Sequence, residues 1–433
     1  MKKRTITAYA LPAFALAVVG IPIYIYIPKF YTDTLGLPVS LAGISLLAIR
    51  AFDAITDPLM GFISDRTRTP MGRRRPYLLA GSTLLSMAIL ALFHPPDLDA
   101  RNLSIWFVIS LALVFLFWTV TVVPYEALGP ELTRDVHTRT VLFSARDGAL
   151  IAGTMVAASI PVAIRAAFSS GGSDADDKTL FLTMALICIP LIIGCCLICF
   201  FAVKEKLPRG TPEATSLSQV LETFKNRPFV ILISAFAFGA IAAQMPATLI
   251  LFYVEHVLRS SRAEIFLLIY FVTGIFCLPF WVSLAKHTGK KRAWMGAMLI
   301  NTGAFFFVFW LGQGDELWYG ILVCLSGVGF GAGLALPSAL TADVIDYDAS
   351  LSGQRREGQY VGVFSVAKKM AGAAGAGIGL WILGIAGYVP GQPQSDDVIF
   401  ALRILYALVP CILSIAGLII AGFYPLRDPP AST

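Results

Sequence analysis

Again and again this chain runs apolar for twenty residues or so, and nothing else limits its fold as strongly. The hydrocarbon core of a bilayer is about 30 Å thick and takes about 20 apolar residues per helix. About twelve runs meet that length, near residues 8–30, 38–62, 77–96, 104–128, 140–166, 179–203, 229–254, 262–285, 292–313, 317–341, 359–385 and 398–424. Strands of a membrane barrel are about ten residues long and alternate in polarity, so helices are expected. Charge depletion agrees: 14% of residues are charged and 57% hydrophobic, where a soluble domain carries about 25% charged. The first run follows Lys2, Lys3 and Arg4 but is too long for a signal peptide and is expected to stay as a helix.

The net charge of +6 does not read as a nucleic-acid surface, because the charges sort by loop. Arg66, Arg68, Arg73, Arg74, Arg75, Arg134, Arg139, Lys204, Lys206, Arg209, Lys225, Arg227, Lys286, Lys290, Lys291, Arg292, Arg355 and Arg356 fall on one side. Lys29, Arg101, Lys178, Arg259 and Arg262 fall on the other. Basic residues stay cytoplasmic, so both termini are expected inside and the chain in the plasma (inner) membrane. The longest central loop divides the chain into an N-terminal six-helix bundle, 1–203, a cytoplasmic linker, 204–228, and a C-terminal bundle, 229–433. "GFISDRTRTPMGRRRP" after the second span and "VSLAKHTGKKRAW" after the eighth both turn through a glycine and a basic run into the next helix. Six spans repeated twice is a common plan of secondary transporters.

One span breaks the apolar rule. Within "RAFDAITDPLM", Arg50, Asp53 and Asp57 lie on one face of a helix. Each aspartate at mid-membrane costs about 2.5–3.5 kcal/mol. Arg50 can neutralise one of them as a buried ion pair, and one negative charge still remains. Two neighbouring carboxylates can hold a proton or a small monovalent cation. Thr56 borders the face, and Thr119 on the fourth span can add a hydroxyl oxygen. Further charges lie in or beside spans: Glu126, Arg146, and the pair Lys368 and Lys369, of which one is expected to reach the interface and one to face inward. Lys369 is a candidate partner for Asp53 or Asp57. The loop after the second span is a candidate cytoplasmic latch through Asp65, Arg66, Arg73 and Arg74.

Other motifs carry less. Cys196 and Cys199 have redox spacing but sit mid-span with the other cysteines in apolar runs, so packing is expected. Four scattered histidines form no zinc signature. "GVGFGAG" and "GAAGAGIG" lie inside spans with no preceding strand, and small residues there let helices approach closely.

"DAITDPLMGFISDRTRTPMGRRRPY" resembles the second-helix signature of the glycoside-pentoside-hexuronide:cation symporters, of the major facilitator superfamily. "YTDTLGL", "VPYEALGPELTRD", "KNRPF", "ADVIDYD" with "RREG", and "GIAGYVP" resemble further markers of that family, in order. The resemblance implies that Asp53 and Asp57 are the acidic cation ligands of the melibiose-permease branch. Thr56 then stands where that branch has an asparagine ligand, and Thr119 where it has a threonine. Arg146 matches a functional arginine of the fifth helix, and Lys369 the central lysine of the eleventh. The branch's two sugar-binding aspartates fall at Ala17 and Val122, and its two aromatic platforms at Glu126 and Leu334. The first helix offers Tyr24, Tyr26 and backbone freed by Pro12 and Pro22.

The expectation is an all-α polytopic protein of the major facilitator fold, with twelve membrane helices in two bundles. It acts as a symporter, not an enzyme, with no cofactor and with Na⁺ or H⁺ as coupling ion (Li⁺ fits too). The solute expected from the resemblance is a sugar or glycoside, with an amphipathic solute such as a lysophospholipid as the alternative. A receptor without transport, or a membrane enzyme, is remote. Its partners are that small-molecule solute, the cation and lipid; nucleic acid is not expected, and the unit is a monomer.

Overall fold

The computed structural model describes residues 2–133, 135–170, 176–205, 222–352 and 356–425. Arg134, Lys206, Arg209, Arg355 and most of the central linker lie outside the described residues, as do the side chains of Arg139 and Leu334. The chain divides into two compact units, Met1–Pro212 and Glu213–Thr433.

In the first unit, α1 (Lys3–Thr34), α2 (Val39–Arg66), α3 (Arg75–Phe93), α4 (Ala100–Leu132), α5 (Val136–Ser170) and α6 (Asp177–Ala202) follow in order. The second holds α7 (Arg227–His256) and a bent α8, whose parts Ala263–Phe276 and Leu278–Thr288 meet at 41°. It continues through α9 (Lys290–Val308), α10 (Glu316–Ser352), α11 (Glu357–Ile385) and α12 (Asp396–Gly422). Asp176 and Asn226 start α6 and α7 by accepting the backbone N–H three residues on, a standard N-cap.

Among the described residues, nine helices are long and apolar enough to cross a bilayer, or ten with the bent α8 as one span. Twelve helices nevertheless follow the order of the twelve expected spans, and some of them fall short of that test of length and composition. The shortfall lies in α9 and α11, which are helices where spans were expected. Lys290, Lys291 and Arg292 fill the first turn of α9, and Lys368 and Lys369 interrupt α11.

The two units repeat one packing scheme. In the first, α1 packs on α5 and α6, α4 on α2 and α3, and α3 on α6. In the second, α7 packs on α11 and α12, α10 on α8 and α9, and α9 on α12. Side chains repeat the scheme. The Tyr31 hydroxyl near the end of α1 donates to Leu92 O, at 2.9 Å, at the end of α3. Tyr253, near the end of α7, donates to Val308 O of α9 at 2.8 Å. "FYTD" and "FYVE" are the matching stretches; hydrophobicity alone hides them, because a tyrosine in an apolar run reads as filler.

The glycine-rich runs pack, as expected. A Cβ on Gly327 would lie 2.7 Å from Tyr270 O of α8, and one on Gly375 would lie 2.8 Å from Ile241 O of α7. Helix backbones touch there, without room for a side chain. Gly375→Val is therefore expected to cost about 1–3 kcal/mol by overpacking, read as a lower melting temperature in detergent. An unchanged melt would show that α7 and α11 part freely. Cys188, Cys195, Cys196 and Cys199 are all buried and free, within α6.

Candidate functional site

α2 has 28 residues, about 42 Å at a rise of about 1.5 Å per residue. That exceeds the hydrocarbon thickness, so its middle, at Asp53, sits deep while Asp65 and Arg66 reach the headgroups. Pro58 inside α2 cannot donate to the turn before it, which loosens the backbone beside the acids.

The charged face is ordered. Arg50 Nη1 donates to Asp53 Oδ2 at 2.9 Å, and the two residues are only 9% and 2% exposed. The guanidinium also lies 4.2 Å from the centre of the Phe115 ring on α4 and 4.6 Å from that of Tyr24 on α1. The two rings, 5.8 Å apart and tilted by 47°, form a corner around it. Tyr24 reaches this place from a π-helical turn, Pro22–Tyr26. Such widened turns re-aim side chains and occur often at functional sites.

Asp57 stands one turn further along, half-buried, and its Oδ1 accepts the Thr119 hydroxyl at 2.8 Å. Thr119 itself is buried. The Thr56 hydroxyl turns back toward Asp53 O at 3.4 Å. The two acids therefore differ: Asp53 is held by Arg50, whereas Asp57 meets a hydroxyl from the neighbouring helix. Arg50 also acts electrostatically on Asp57.

Among the other expected residues, Glu126 and Arg146 lie within electrostatic reach of each other. Tyr26 is buried, while Glu126 is exposed. Arg146 pairs with Asp147 at 2.8 Å, with its guanidinium 4.9 Å from the centre of the Phe143 ring. Lys369, in the second unit, is half-buried and Lys368 exposed.

The cluster at the loop after α2 is denser than expected. Arg73 and Arg74 both bond Glu131 Oε1, at 2.6 and 2.8 Å, and Arg74 also bonds Asp65 at 2.5 Å and Ser64 at 3.1 Å. Glu205 Oε2 accepts the backbone N–H of Arg73 at 2.7 Å and of Arg74 at 3.0 Å. It can close on them because Gly72, at φ 112°, has no Cβ in the way. Arg66 lies elsewhere, exposed and 3.6 Å from the centre of the Phe62 ring. It follows Asp65 by one residue and so points off the face that Asp65 and Arg74 share.

The second unit has a simpler counterpart. Gly289 (φ 91°) opens α9, Lys290 Nζ lies 2.5 Å from Asp343 near the end of α10, and Lys291 donates to Gly422 O and Tyr424 O after α12. Arg75 likewise donates to Phe200 O of α6. Glu131 and Asp343 were both present in motifs singled out from the sequence. Their position toward the end of the second helix after each basic loop was the available signal.

The family model described as MFS/sugar transport protein matches residues 8–428. The chain belongs to that family. As a member of the MFS/sugar transport family it is a membrane transporter and not an enzyme. The glucuronide carrier protein homolog of Escherichia coli (strain K12) is 28% identical, over 98% of this chain and 93% of that protein. The inner membrane symporter YicJ of the same organism is 28% identical, over 93% and 87%. Among solved structures, a bacterial homolog of the human lysosomal transporter Spinster superposes with TM-score 0.71 at 15% identity, over the whole of both chains. The nucleoside transporter NupG gives 0.69 at 11% identity, over 96% of this chain and 100% of that one. These structures share the fold. The resemblance to the glycoside-pentoside-hexuronide:cation symporters stands with the curated relatives.

Proposed function

We propose that this MFS/sugar transport protein is a symporter that moves a sugar or glycoside inward with a monovalent cation by alternating access. The observation that carries the reading is the pair of carboxylates on one face of α2, with Asp57 meeting the Thr119 hydroxyl across helices. Hard oxygen ligands in a dry setting suit Na⁺ or Li⁺, and a carboxylate there also suits a proton. In this reading Asp57 and Thr119 are the first ligands, with Thr56 and Asp53 beside them. Arg146 and Lys369 link the solute to the gate. Relatives named as a glucuronide carrier homolog and as a symporter support both halves of the assignment. In this reading the protein works as a monomer in the plasma membrane, and the sorting of basic loops supports cytoplasmic termini.

The positions matching sugar-binding acids, Ala17 and Val122, are apolar. That one observation favours a second reading, an amphipathic solute. Purified protein in proteoliposomes decides between them. An imposed inward Na⁺ or proton gradient is expected to drive accumulation of labelled glycosides, and an ionophore to abolish it. Accumulation of a lysophospholipid alone would favour the second reading. Solute binding without any gradient-driven flux would reject symport.

A further inference from the structure

We infer that the groove between the start of α1 and the end of α6 binds an anionic phospholipid, with Arg4 on the lipid phosphate. The site lies within the first unit and needs no transport reading. The groove has a volume of about 530 Å³, within the span of about 300–1,000 Å³ common to ligand sites. Arg4, Ala8 and Leu11 line it from α1 at helical spacing, and Ile198, Phe201 and Ala202 line it from α6. The two alanines are the small members of that lining and give the groove its depth. Ile198 is 50% exposed and Phe201 71%, so the apolar wall is left uncovered by the described residues.

Charge marks one end of the groove. Arg4 is exposed, and among the described residues it has no ion-pair partner. The arginines of the loop before α3, beside the end of α6, are committed: Arg73 and Arg74 to Glu131, and Arg75 to Phe200 O. Lys2 and Lys3 add to the field beside Arg4, and the sequence holds no acid before Asp33. Glu205, the first acid after α6, accepts from the backbone of Arg73 and Arg74. A guanidinium presents a planar fork that matches phosphate oxygens. Leu11 lies seven residues from Arg4, about 10 Å further along the helix axis. A phosphate at Arg4 therefore sets the first carbons of an acyl chain against Leu11, Ile198 and Phe201. Free phosphate would use only the charged end, and a zwitterionic lipid brings its own cation, which offsets the pull of Arg4. An anionic phospholipid uses both ends.

The test is native mass spectrometry of the full chain in detergent, titrated with phosphatidylglycerol or with phosphatidylcholine of the same acyl chains. The parent is expected to half-saturate with phosphatidylglycerol at a concentration about fivefold lower, the effect of one basic side chain beside an anionic headgroup. Arg4→Ala is expected to bring the two lipids within twofold of each other. Arg4→Lys keeps the charge and is expected to stay within twofold of the parent. Ala202→Trp fills the groove and is expected to weaken phosphatidylglycerol at least fivefold. Should that variant fail to fold, Thr7→Trp, at an exposed position of the same lining, carries the same expectation. Arg66→Ala removes an exposed arginine elsewhere and is expected to leave the preference in place. Equal loss from Arg66→Ala and Arg4→Ala would mean diffuse attraction and overturns the inference. So does a parent without preference, or displacement of the lipid by an equal concentration of glycerol 3-phosphate. A dimer mass that Ala202→Trp abolishes would put a second copy of the chain in the groove and overturns it too.

Discussion

Asp57→Asn is expected to abolish cation-driven accumulation while leaving a folded protein. Asparagine matches the shape of aspartate and can still accept the Thr119 hydroxyl, so the contact at 2.8 Å survives. What goes is the charge. The substitution removes one of the two carboxylate charges of this face, so a desolvated cation there loses a compensating charge. A unit charge at about 4 Å in a medium of effective dielectric about 20 contributes about 4 kcal/mol, roughly a thousandfold in affinity. Gradient-driven uptake in proteoliposomes measures the loss, and retained accumulation would reject the ion site. Asp53→Asn should behave differently. It leaves Arg50 buried without its ion-pair partner, so stability is lost along with transport.

The second large effect is expected at the basic loop between α2 and α3. Glu131→Ala removes the oxygen shared by Arg73 and Arg74, both of which are buried. Breaking a buried ion pair by deleting one partner costs about 3–5 kcal/mol, because the remaining charge is stranded. Here two guanidiniums lose a ligand at once, and the bonds to Asp65 and Glu205 offset only part. A melt of the purified protein, followed by intrinsic fluorescence, should fall by several degrees. Arg66→Ala, which removes a surface contact with Phe62, should stay within about 1 kcal/mol. If the two variants melt alike, the cluster does not hold the helix ends together.

The broad plan was legible because lipid imposes it. Apolar runs and basic loops located the helices, and the charged face of α2 stood out against its surroundings. The detail of that face was only half readable. Helical spacing put Arg50, Asp53 and Asp57 together, and it also held the pairing: Asp53 is three residues from Arg50, whereas Asp57 is seven. The ring corner was not readable, since it needs Tyr24 on a π turn and Phe115 on another helix to converge. Nor was Glu205, whose role depends on a glycine turn 132 residues away from it closing around its carboxylate. Three basic residues open α9 and lower its hydropathy, and two of them, Lys290 and Lys291, fasten it to α10 and α12.

Those fastenings bear on how the chain is made. Every described partner of the first basic loop, from Ser64 to Glu205, belongs to the first unit. Domains commonly fold in order as they emerge during synthesis. A ribosome that has released Glu205 has supplied every piece this end requires, so the leading half can set firm while the trailing half is still being translated.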